Sequence, residues 1–167
     1  LDTVPPQIVS DVVIRASEEY PDKRIIGHYL QPHAPFIGEF GKELSKTDIW
    51  IWNQLRYGFE VDISEIKKAY EENLNRVLQS VERVTNSLSC KIVITSDHGE
   101  MMGERQRPIP VRGYEHSEGI YTKELLTVPW YTPEFTHRRD ISSHPRKKTH
   151  YYNNAKTEEK LQALGYR

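Results

Sequence analysis

Residues 91–102 read KIVITSDHGEMM, and the architecture follows from how that stretch is understood. Ile92, Val93, Ile94 and Thr95 form a short β-branched run, apolar on both sides, the composition of a strand buried inside a parallel sheet. The run stops at Ser96-Asp97-His98-Gly99-Glu100, a polar cluster containing a glycine. In open α/β sheets, ligands gather beyond the carboxyl ends of the strands. A carboxylate and an imidazole side by side at such an end, Asp97 and His98, are candidate metal ligands. Asp-His-Gly is equally a good turn, because Asp bonds nearby backbone N–H groups and Gly accepts positive φ. The tripeptide alone leaves both readings open.

Working upstream, Asp62 and Glu65 form a candidate capping box. Ile66, Tyr70, Leu74, Val77, Val81, Val84 and Leu88 then recur at helical spacing, which predicts an amphipathic helix of roughly 25 residues leading into the strand. Glu71, Glu72, Arg76, Glu82 and Arg83 fall on its wet face and need no function. Residues 38–60 read as irregular, with Trp50, Trp52, Tyr57 and Phe59 packing over a sheet edge. Residues 24–30 (RIIGHYL) read as a second strand, followed at once by Gln31-Pro32-His33-Ala34-Pro35-Phe36. The two prolines bracketing His33 stiffen its backbone, and a rigid loop at a strand end presents an imidazole well. Taken singly, His33 is an ordinary loop histidine. The first twenty or so residues predict a helix capped by Thr3, with Pro5 and Pro6 in its first turn and Ile8, Val9, Val12, Val13 and Ala16 as its apolar stripe.

Downstream, residues 103–113 (GERQRPIPVRG) are expected to be a long loop that shapes a site beside it. Tyr114-Glu115-His116-Ser117 follows. Residues 125–131 (LLTVPWY) read as a third strand, with Pro129 placing it at an edge or ending it. Residues 132–156 are charged and surface-draped, and 157–164 predict a short helix stopped by Gly165. The order of elements is that of an α/β protein with a partly parallel sheet. His33 and the Asp97, His98 pair then lie past strand ends on one edge, and His116 makes a third converging segment. We divide the chain into an α/β domain over 1–135 and a charged tail over 136–167.

The 167 residues suit one domain able to bury a core. Lys and Arg number 23 against 24 Asp and Glu, a net charge of −1, which gives no global bias toward nucleic acid or acidic membranes. No apolar run approaches the roughly 18 residues of a membrane span. The single cysteine, Cys90, excludes an internal disulfide and a multi-cysteine metal knot. The chain begins at Leu1 with no signal peptide before it, so we expect a processed, trimmed or excised piece of a longer polypeptide.

Four stretches together are recognisable: HYLQPHAPF (28–36), YEENLNRVLQSV (70–81), VITSDHGEMMGE (93–104) and HSEGIYTKELLTVPWY (116–131). In this order and spacing the chain resembles, over about residues 1–131, the C-terminal part of sulfatase-like hydrolases of the alkaline phosphatase superfamily, the prokaryotic and archaeal type above all. The terminal LQALGY also looks familiar for that group. The resemblance implies an α/β fold with a mixed, mainly parallel sheet flanked by helices. It implies hydrolysis or transfer at a small sulfate or phosphate ester through a covalent nucleophile, assisted by a divalent metal ion. Residue by residue, Asp97 and His98 match the metal-binding pair. His33 matches the catalytic histidine that contacts the transferred group or protonates the leaving oxygen. His116 falls where a catalytic Lys or His contacts that group, ahead of Tyr121, Glu124, Val128 and Pro129.

A carboxylate with an imidazole favours Zn or Mn over an all-oxygen Ca site. The other imidazoles suit hydrogen bonding to developing charge, or proton transfer near neutral pH. One part of the pattern is missing. The sulfatase nucleophile stands in Cys/Ser-x-Pro-x-Arg; Cys90 is followed by Lys91-Ile92, and Ser143-His144-Pro145-Arg146-Lys147 ends in Lys. The expectation is half a site, completed by the N-terminal half of the same enzyme and inactive without it. The alternative is a non-catalytic remnant of the fold that binds anions or metal.

Overall fold

The computed structural model describes residues 3–44, 51–57 and 62–144. Its first helix, α1 (Pro6–Glu19), starts with proline where a missing N–H costs nothing. Pro5, not Thr3, occupies the cap position, and the Thr3 hydroxyl instead accepts a hydrogen bond from Gln31 Nε2 at 2.8 Å. The expected apolar stripe packs only in part. Val9, Val13 and Ala16 are half-buried, but Ile8 and Val12 are 52% and 47% exposed, while the fully buried positions are Pro6, Ser10 and Ser17. Small serines let two helices approach closely, and Ser10 Oγ donates to the Ser80 carbonyl at 2.7 Å.

Residues 38–60, which the sequence predicts to be irregular, contain two short helices, α2 (Glu39–Leu44) and α3 (Ile51–Arg56). Trp52 is fully buried with Phe36, Ile51, Ile66, Ala34 and Ala69, and this cluster is the core. Tyr57 is exposed, and Trp50 and Phe59 lie outside the described residues. Helix α4 (Ile63–Ser87) runs for 25 residues, the length its periodicity predicts. Asp62 caps it, with Oδ1 accepting the Ser64 N–H at 2.8 Å, a side-chain bond that satisfies one of the orphan amides of a helix start. Glu72, read as a solvent charge, has a structural task. Its carboxylate accepts the N–H groups of Glu39, Phe40 and Gly41 at 2.8, 3.2 and 3.3 Å. A side chain of α4 thus caps the start of α2.

The described residues mix helices with two small antiparallel sheets. Strand β1 (Ile94–Thr95) is followed by a hairpin of β2 (Met101–Arg105) and β3 (Arg112–Glu115), then by helix α5 (Lys123–Leu126) and β4 (Trp130–Tyr131). β1 pairs antiparallel with β4, and β2 with β3. The expected mainly parallel sheet is not formed among the described residues; parallel pairing there is a single bridge between Cys90 and His137. Residues 24–30, which the sequence predicts to be a strand, form none and have no ladder partner among the described residues, and Val93 and Thr95 are exposed where the sequence predicts a doubly buried strand. Between β1 and β4 the chain makes the β2–β3 hairpin and then α5, and it comes back running antiparallel to β1, a pairing that needs no crossover helix. Pro129, which cannot donate to a ladder, precedes that two-residue pairing.

Residues 103–113 are no site-shaping loop. They form the inner ends and tip of the hairpin, and the arm of β2 carries that tip away from the Glu100 end. The chain after β4 is tied back at Thr136 to Ser89, at His137 to Lys91 and at Ser142 to Asp22 by backbone hydrogen bonds. The helix expected over 157–164 lies outside the described residues. No helix among those described is long and apolar enough to cross a membrane.

Candidate functional site

His33 sits on a loop held from beneath by α4. Asn73, fully buried, accepts the Ile37 N–H on Oδ1 at 2.9 Å. Its Nδ2 donates toward the carbonyls of Pro32, His33 and Pro35 at 3.3, 3.4 and 3.5 Å. The loop therefore owes its shape to one amide as much as to its prolines. His33 Nδ1 bonds the Ala34 carbonyl at 2.6 Å. A carbonyl can only accept, so Nδ1 carries the proton and Nε2 of the neutral ring keeps its lone pair. That Nε2 stands 4.0 Å from a Glu100 oxygen and 4.0 Å from one of Glu115.

Asp97 and His98 follow β1 after one residue, Ser96. Asp97 Oδ1 accepts the His98 N–H at 3.0 Å, the turn bond that the tripeptide allows. His98 Nδ1 donates to the Gly99 carbonyl at 2.8 Å, which again leaves Nε2 as the lone-pair nitrogen. The turn is clamped by α5: Gly99 N–H donates to the Leu125 carbonyl at 2.9 Å, and the Glu124 carbonyl fills the space a Cβ would need. Only glycine fits there.

His116 and Glu100 are brought together by the hairpin. Its register pairs Met101 with Glu115, so the next residues outward, Glu100 and His116, face one another. His116 Nδ1 lies 3.0 Å from Glu100 Oε1. The His116 ring is tilted against His98 at 4.1 Å and meets His33 edge-on at 5.1 Å. Glu115, just before it, has φ of 63°. This left-handed conformation costs most residues about 1 kcal/mol, and it turns the chain toward the cluster. The hydrogen bond to Glu100 raises the His116 pKa above its ordinary value; burial opposes this, and the charges of Glu100, Glu115 and Asp97 add to it. Burial, with the Glu100 charge beside it, pushes the Tyr70 phenol up to about 12.

His33, His98 and His116 thus meet, with Asp97 on the rim, its side chain 62% exposed. Glu100, only 6% exposed, lies deeper than any of them. Neither Glu100 nor Glu115 stands out in the sequence, although each adjoins a motif residue. Their role depends on a hairpin that a basic, proline-bearing stretch conceals. Tyr121 is 79% exposed and outside the cluster's contacts. Among the described residues, His33, Glu100 and His116 each offer a ligand atom, all within 4.8 Å of one another. Compared with known proteins, the chain matches no family model, no curated protein and no solved structure.

Proposed function

We propose that this chain is the C-terminal portion of a metal-dependent sulfatase-like hydrolase acting on small sulfate or phosphate esters. Its mixed, mainly parallel sheet is completed by the N-terminal half, which brings the nucleophile. The observation that carries this reading is the meeting of three imidazoles and a buried carboxylate from separate segments of the chain. Residues 24–30, which have no ladder partner among the described residues, and the edge of β1 away from β4 are the natural places for added strands. A divalent ion of the Zn or Mn type supplies Lewis acidity to the ester oxygens. The imidazoles supply hydrogen bonds to the anion and a proton for the leaving oxygen.

Two nearby candidate nucleophiles are poorly placed to attack: Thr95 Oγ1 donates to the Pro129 carbonyl at 2.7 Å, and Cys90 lies upstream of β1, at the bridge to His137. We expect the 167-residue chain to show no turnover of aryl sulfate or aryl phosphate with Zn, Mn or Ca. The longer polypeptide, with an acidic strand end and a Cys, Ser or Thr ahead of Leu1, should turn over and lose activity in His33→Ala. Multiple turnover by the short chain, abolished by Ser96→Ala or Thr95→Val, would overturn the division into halves.

A further inference from the structure

We infer that His33, Glu100 and His116 are themselves a three-ligand site for a Zn-class divalent ion, and that Asp97 and His98 are not its primary ligands. The inference concerns binding and is tested by binding; with His33 and His116 on the ion, the imidazole left for the anion and the leaving oxygen in the hydrolase reading is His98.

Glu100 carries the argument. Its carboxylate is more than nine-tenths buried, and a charge so placed is paired or coordinates a metal. One oxygen is met by His116 Nδ1 at 3.0 Å. The other faces His33 Nε2 at 4.0 Å, too long for a hydrogen bond. One ligand atom from each of the three lies within 4.8 Å of the others; ligands around a tetrahedral zinc stand about 3.3 Å apart, so the set closes by at most about 1.5 Å on taking up the ion. Two imidazoles and one carboxylate are a donor set that suits Zn, Mn or Fe(II) and leaves positions open.

The surroundings agree. The bond from His33 Nδ1 to the Ala34 carbonyl is the outer contact that aims an imidazole at a metal, and Asn73 holds the loop that bears it. His98, stacked on His116 with its Nε2 lone pair available, is placed next to the three as a further neutral donor. Asp97 lies beside His98 but on the rim, its side chain 62% exposed, and it is not among the three residues whose ligand atoms converge.

The test is titration of the 167-residue chain with Zn(II), followed calorimetrically, and with Co(II), whose visible spectrum reports coordination by nitrogen and oxygen. We expect one ion per chain. Glu100→Gln and His116→Ala should each weaken binding at least about tenfold, and Asp97→Asn less than about threefold. Circular dichroism checks that each variant folds; if Glu100→Gln does not, His33→Ala and His116→Ala decide, and both must weaken binding. Absence of saturable binding by the unaltered chain overturns the assignment, and so does a loss in Asp97→Asn as large as in His116→Ala. Failure of the hydrolase reading would leave these titrations unchanged.

Discussion

Asn73, with no exposure, accepts the Ile37 N–H on Oδ1 and shares the two hydrogens of Nδ2 among three carbonyls of the His33 loop. Removing it orphans a buried amide hydrogen and leaves those carbonyls to share what remains. Asn73→Ala is expected to cost about 2–3 kcal/mol, read from the urea midpoint. Asn73→Asp should be worse: it keeps an acceptor for Ile37 N–H but sets a buried charge against the three carbonyls. Equal stability of Asp and Ala variants would mean that the amide does not hold the loop. From sequence, Asn73 is one polar position on a long helix and shows nothing of this. Its partners lie about forty residues away.

At the scale of elements, α2 is too short to stand alone, and its first amides are satisfied by Glu72 of another helix. Burial works against ionisation of Glu72, but the Gly41 and Glu39 amides, Arg76 and the Phe40 amide hold its carboxyl below the ordinary value of 4.5. A lowered folded pKa means stabilisation that is present above the unfolded value and lost as pH falls through the folded one. The stability gap between the unaltered chain and Glu72→Gln, about 1 kcal/mol, should be flat near neutrality and close in acid below about pH 4.5. Urea midpoints of the two proteins across pH check it; a gap that widens in acid would contradict the capping role. A second element contact is as specific. Gly99→Ala drives a methyl group into the Glu124 carbonyl, which is backbone and cannot swing aside. We expect a loss of about 2–3 kcal/mol and faster exchange of the Gly99 amide as α5 lifts away.

Across the whole molecule, several large apolar side chains stand in water: Trp130 of β4 is 71% exposed, Tyr131 beside it 60%, Leu126 of α5 65%, and Ile26, in a segment with no ladder partner among the described residues, 84%. Surfaces of this kind promote association. Light scattering should show concentration-dependent self-association that Trp130→Lys reduces; unchanged scattering would place the sticky surface elsewhere. Acrylamide should quench Trp130 readily and Trp52, which is fully buried, hardly at all.

By itself the sequence determined what is local. The apolar repeat from Ile66 to Val84 set the long helix and its length, Asp62 its start, and proline the first turn of α1, because helical periodicity and capping act within a few residues. It also marked His33, Asp97, His98 and His116 as residues worth locating, since each stands where a regular run breaks off. Tertiary structure alone decided which strands pair and which side of α1 is buried. A β-branched run fits any ladder that reaches it, and two serines pack a helix more closely than the longer stripe of valine and isoleucine. It alone also brought Glu100 to His116, through the register of a hairpin whose Gly103 and whose prolines at 108 and 110 hide its alternation. Pairing between segments depends on loop geometry and on what else competes for the same edge, and neither is written in the residues that end up touching.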